Sequence, residues 1–136
     1  MTRRQSIVEA VAIALAEIKS DNGFNTDFNR ITYWQDTDTQ YGFNHLNYRD
    51  TTEEYSRKNQ VTDAQLNIEI VAVVYGSQIE EAALSGTLVL TDLIEVVKTL
   101  SKPNCLFDLA RSHKWVETKG KTACCVELEL TVKYKF

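Results

Sequence analysis

The stretch from Leu66 to Tyr75 constrains the fold more than any other part of the chain. Its first half places Leu66, Ile68 and Ile70 on one side and Asn67 and Glu69 on the other, the two-residue period of a strand buried on a single face. Its second half, Val71-Ala72-Val73-Val74-Tyr75, is apolar on both sides. An antiparallel strand with one wet face alternates throughout. Val71, Val73 and Tyr75 therefore predict a cover on the second face, either another layer of the same chain or another subunit.

The C-terminal part supplies a partner for this strand. From Val126 to Phe136 the alternation is complete, with Val126, Leu128, Leu130, Val132, Tyr134 and Phe136 on one face and Glu127, Glu129, Thr131, Lys133 and Lys135 on the other. Lys119-Gly120 reads as a tight turn joining Trp115–Thr118 to a strand that begins near Thr122. Ile31–Trp34 and Leu46–Arg49 are shorter β-prone pieces, separated by a polar loop over 35–44 and followed by a second polar, irregular stretch over 50–63.

Two segments have the helical period instead. Over residues 6–20, Ile7, Val8, Val11, Leu15 and Ile18 share a face opposite Glu9, Ile13 and Glu17. Capping-box spacing occurs at Ser6/Glu9 and also at Thr2/Gln5, which leaves the helix start open, and Asp21-Asn22-Gly23 marks its end. Ser77-Gln78-Ile79-Glu80 opens a second helix that reaches about Leu100, before Pro103 forbids continuation. Ile79, Ala83, Gly86, Leu90, Leu93, Ile94 and Val97 form its apolar stripe, widened by Ala82, Val89, Val96 and Leu100. Leu84 and Leu88 fall on the opposite side, one turn apart.

These elements predict an α+β fold, an antiparallel β-sheet with two main α-helices packed on one face, in one domain over residues 1–136. The 15 basic and 19 acidic residues give a net charge of -4 with no Lys/Arg run longer than two, a poor match to a nucleic-acid backbone. Met1-Thr2-Arg3-Arg4 before an apolar run resembles a leader, but Glu9 interrupts the run, so an amphipathic helix is expected, and no stretch is long enough for a bilayer. Three cysteines, with Cys124 and Cys125 pointing to opposite faces of a strand, suit reduced thiols in a cytoplasmic protein.

The residues of catalysis are sparse. His45 and His113 stand in no metal-ligand spacing, and no nucleophile-elbow, Walker or dinucleotide-binding glycine pattern occurs. Asp36, Asp38, Asp50, Glu53 and Glu54 lie among Arg49, Arg57 and Lys58, as expected of a solvated loop. The aromatic set Tyr33, Trp34, Tyr41, Phe43, Tyr48 and Tyr55 is interleaved with Asp and Thr, where a base-stacking platform would carry cations. No enzyme, cofactor or metal is expected. One alternative is a small cytoplasmic enzyme or ligand-binding domain with a site built from Asp36, Asp38, His45 and Glu53.

The layout resembles that of the tail terminator (tail completion, minor tail) proteins of long-tailed bacteriophages and prophages. The resemblance rests on the helix containing Ile7-Val8, Val11, Leu15 and Ile18, the strand Leu66–Tyr75, the helix Leu88–Leu100 with Leu93-Ile94-Glu95-Val96-Val97, and the closing strand Val126–Tyr134. It implies a virion protein of the tail, assembled in the host cytoplasm, that forms a ring, usually hexameric, caps the tail tube and ends its elongation. Its partners would be itself, the tube protein and head-tail connector proteins, with no cofactor, nucleic acid or membrane. A head-tail connector or neck protein is the nearest alternative. Val71, Val73 and Tyr75 on one side and Leu84 and Leu88 on the other are the expected subunit-interface residues, since a heterologous ring contact needs two different patches.

Overall fold

A computed structural model describes residues 2–34 and 42–136. The first helix, α1 (Arg3–Ala16), starts at the earlier of the two capping boxes: Gln5 N–H donates to Thr2 Oγ1 at 3.1 Å, and Thr2 N–H donates to Gln5 Oε1 at 2.8 Å. A short 3-10 turn, Ser20–Asn22, follows and is closed by Gly23 at φ +87°, a left-handed conformation that suits glycine. The remaining elements are β1 (Arg30–Tyr33), β2 (His45–Lys58), β3 (Val61–Tyr75), α2 (Ile79–Lys98), β4 (Cys105–Glu117) and β5 (Ala123–Lys135).

The strands form one sheet in the order β1-β2-β3-β5-β4. Both helices lie over the same face, and their buried residues join Leu66, Ile68, Ile70, Leu128, Leu130 and Val132 in one core. The expected α+β class and helical layer are therefore present. Cys124 lies in this core, whereas Cys125 belongs to a small cluster on the other face. No helix among the described residues is long and apolar enough to cross a membrane.

Three expectations change. The polar stretch over 50–63 is part of a long β2–β3 hairpin, turned at Asn59 and Gln60, both with positive φ. Both of its faces meet solvent near the turn, so the ladder holds a sequence with no apolar face to betray it. Secondly, β1 pairs with β2 in parallel, Arg30 opposite His45 and Tyr33 opposite Tyr48, so the sheet is mostly rather than wholly antiparallel. Thirdly, α2 starts after Gln78 with no side-chain cap, and Ser77 instead donates through both its N–H and its hydroxyl to Glu81.

Two residues fix how the helices seat. Gly86 brings α2 against β5 so closely that an added Cβ would lie 2.3 Å from Cys124 Sγ. Asp92, buried on the flank of α2, accepts from the main-chain N–H and the side-chain amide of Asn25 at 2.9–3.1 Å. This ties the segment after Gly23 to the second helix and satisfies a carboxylate that would otherwise be buried without partners.

Candidate functional site

The sheet face away from the helices is organised in cross-strand rows. One row runs His45, Val73, Cys125 and Trp115; the next runs Asn47, Val71, Glu127 and His113; the third runs Arg49, Glu69, Glu129 and Arg111. Val73 and Cys125 form a small second cluster with Ala123, against which Tyr75 and Trp115 pack. Val73 is 0% and Val71 9% exposed, and Tyr75 is half-buried. The cover that the sequence demanded for Val71 and Val73 is thus already present within the chain. Large side chains on neighbouring strands close over smaller ones, as cross-strand packing permits without a second layer. As members of an exposed apolar patch, Val71 and Val73 are corrected. Tyr75 keeps part of its ring in solvent, and its N–H donates to Asn44 Oδ1 at 3.2 Å.

Leu84 and Leu88 differ: they are 63% and 40% exposed on the outer side of α2, and Ile79 at the start of the same helix is also exposed. The sequence did bring this pair together on the surface. A second exposed group lies at the distant end of the sheet, where Tyr55 and Phe136 meet edge to face with ring centroids 5.3 Å apart and Val61 lies by the hairpin turn.

The densest polar constellation sits where β2 bulges between Asp50 and Glu53. Asp50 accepts from Arg4 Nε at 2.6 Å, from Trp34 Nε1 at 3.0 Å and from the Tyr33 hydroxyl. Arg4 also donates to the Thr51 carbonyl at 3.2 Å and lies 3.7 Å from Glu53, which accepts from the hydroxyls of Tyr55 and Tyr134. Burial pushes the Asp50 carboxyl up, but the bonds from Tyr33, Arg4 and Trp34 outweigh it and hold it below the ordinary carboxylate value. Burial and a carboxylate acceptor raise the Tyr33 and Tyr134 hydroxyls. The result is an ionised carboxylate among protonated phenols and a fixed guanidinium, an arrangement that pins α1, β1, β2 and β5 together. It borders an open cleft of about 460 Å³ lined by Thr2, Arg4, Val8, Tyr33, Tyr48 and Asp50.

The constellation of the enzyme alternative does not converge among the described residues. His45 is on the face away from the helices, beside Val73, and Glu53 is on the helix-covered face, beside Leu66; Asp36 and Asp38 lie outside the described residues. His113 stacks on Trp115 at 5.1 Å. Glu69, Glu127 and Glu129 offer carboxylate oxygens within 4.8 Å of one another, and Arg111 binds Glu129 through two bonds of 2.8 and 2.9 Å.

Sequence reasoning missed the Arg4–Asp50–Glu53–Tyr134 network, because its members are dispersed along the chain and none belongs to a motif. Asp92 carried a signal: an acid flanking an apolar stripe, beside Leu93, is poised for burial. No family model matches the sequence, and no curated protein matches it either.

Proposed function

We propose that this chain is a structural assembly subunit of the tail-terminator kind, a ring-forming protein that caps a phage tail tube, stops its elongation and presents a surface for head joining. The observation that carries the proposal is the separation of its exposed apolar groups. Ile79, Leu84 and Leu88 lie on α2, which packs over the sheet near the Val74 end of β3, whereas Tyr55, Val61 and Phe136 lie towards the other end. The stretch of β3 from Ala64, opposite Tyr55, to Val74 spans roughly 30 Å. Two unlike patches so far apart suit a heterologous contact repeated by rotation, the geometry that closes a ring.

The leucines alone are insufficient. Leu88 is already more than half covered, so burying both contributes at most about 3 kcal/mol before ordering costs. The aromatic pair at the hairpin end supplies the larger area. In this reading the Asp50 network is scaffold that stiffens the hairpin at its bulge, and no catalysis is assigned to it.

The test mixes the purified protein with tail tubes and images them by electron microscopy, with mass in solution measured in parallel. The parent is expected at tube ends, and Leu84→Asp and Tyr55→Asp are expected to lose that binding with unchanged circular dichroism. Bare tube ends with the parent, or undiminished binding by both variants, would refute the reading. Attachment to the portal side would favour a head-tail connector.

A further inference from the structure

The two flanks of α1 border different clefts. One holds Asp50; the other, of about 210 Å³, opens between α1, the end of α2 and the start of β4. Arg3, Ser6, Ile7 and Ala10 line this second cleft at the i, i+3, i+4 and i+7 spacing of one helical face. Buried Ile7, Phe107 and Tyr134 form its floor, and half-buried Leu100 and Cys105 its sides.

The wall opposite the helix is held by its own hydrogen bonds. Around Pro103-Asn104, Lys102 N–H donates to the Cys105 carbonyl at 2.9 Å and Cys105 N–H to the Lys102 carbonyl at 3.0 Å. The Ser101 hydroxyl accepts from Phe107 N–H at 3.0 Å and donates to the Phe107 carbonyl at 3.3 Å. These bonds occupy the outward main chain at the start of β4 and fix Lys102 beside Cys105.

Charge at this cleft is one-sided. Arg3 and Lys102 are exposed, neither makes an ion pair among the described residues, and no described acidic side chain lines the cleft. The Tyr134 hydroxyl is committed to Glu53, whose charge Arg4 offsets. Burial pushes the Cys105 thiol up, and the charges of Arg3 and Lys102 pull it part of the way back, so both cations act within the cleft.

We infer that this cleft binds a small carboxylic acid, with its apolar body on Ile7, Leu100 and Phe107 and its carboxylate between Arg3 and Lys102. Sites for drug-sized molecules run to about 300–1,000 Å³, so the smaller volume here selects a short-chain acid and leaves much of a long acyl chain in water. The apolar floor favours such an acid over a bare inorganic anion, which would bury no apolar surface. A neutral molecule of the same shape would forgo both cations. Ala10 makes the room, because a larger side chain at this point of the helix would fill the cleft.

This site shares no residue with the exposed groups assigned to the ring, so the two proposals fail separately. Cys105 is the reporter, since Cys124 and Cys125 are buried. Alkylation of the full chain by iodoacetamide, followed at Cys105 by peptide mass spectrometry, is measured against increasing hexanoate at constant ionic strength. Hexanamide and acetate are the controls. Amide chemical shifts of Ser6, Ala10 and Phe107 report occupancy independently of the thiol. Hexanoate is expected to slow alkylation and move these shifts in a saturable way, with hexanamide and acetate at least about tenfold weaker. Arg3→Gln and Lys102→Gln should each raise the half-saturating concentration about threefold to fivefold, and Ala10→Leu should abolish both responses with circular dichroism unchanged. The readout is a concentration rather than a rate, so the effect of either variant on the thiol itself does not enter. No saturable shift with hexanoate, equal potency of hexanamide, or half-saturation unchanged in both glutamine variants overturns the inference.

Discussion

Gly86→Ala probes how tightly α2 is seated on the sheet. Two effects oppose each other. At an exposed helical site, alanine stabilises by about 0.8–1 kcal/mol over glycine. At position 86 the new methyl would sit 2.3 Å from Cys124 Sγ and 3.2 Å from Cys124 Cβ, where carbon-sized atoms prefer about 3.5–4 Å. Lys114 Cδ, also at 3.2 Å, belongs to a flexible chain and can yield, but Cys124 is fully buried in the core and has no free side to turn to. Overpacking of this kind typically costs about 1–3 kcal/mol, and the depth of the overlap places it in the upper half of that range. The net expectation is a loss of about 1–2 kcal/mol, read as a fall in Tm of roughly 3–8 °C. Urea and thermal unfolding of the parent, Gly86→Ala, Cys124→Ala and the double variant complete the measurement. Removing the sulfur makes room for the methyl, so the double variant should be more stable than the sum of the singles predicts by about 1 kcal/mol or more. A Gly86→Ala protein at least as stable as the parent, with additive singles, would refute the packing argument.

Asp50→Ala strands the donors of Arg4, Tyr33 and Trp34 and should cost about 2–4 kcal/mol in urea unfolding, with α1 amides exchanging faster. Because the folded carboxyl lies below its unfolded value, this stabilisation is complete above roughly pH 4 and fades as pH falls through the lower folded value. The gap between parent and Asp50→Ala should therefore close in acid, and a gap constant down to pH 2 would contradict the network. Asp92→Ala removes the acceptor of Asn25 and should cost about 1–3 kcal/mol, with protease sensitivity appearing first over residues 20–27. Gln60→Gly relieves a left-handed residue at φ +67° in the hairpin turn and should raise stability by about 0.5–1 kcal/mol by the same unfolding assay.

What could be read from the sequence follows from what was periodic. β5 and the second half of β3 announced themselves because one face had to be apolar, and α2 did so through a stripe whose members Ala82, Gly86, Val89, Leu93, Val96 and Val97 are buried. The hairpin arms between Glu54 and Asp63 carried no such mark, since strands with solvent on both sides are held by their ladder and accept nearly any polar side chain. The closing of Trp115 and Tyr75 over Val73 was equally hidden. It depends on which residues stand side by side across β3, β5 and β4, a register that no single strand specifies. The exposed pair Leu84 and Leu88 was legible because a helical wheel resolves one surface at a time, whereas the ion-pair network needs Arg4 and Glu53 brought together by the whole fold.

The strand order also bears on how the protein is born. β5 is made last of the strands, yet it sits between β3 and β4, so neither neighbour has its central partner until residues 123–135 have left the ribosome. Until then the helices have half a sheet to cover, and the apolar edge of β3 stands open. The nascent chain is thus committed to folding late and all at once, with long-range pairing that forms slowly and exposes aggregation-prone edges while it waits. A chain arrested before Ala123 should depend on a holdase chaperone, and one that carries β5 through Lys135 should not.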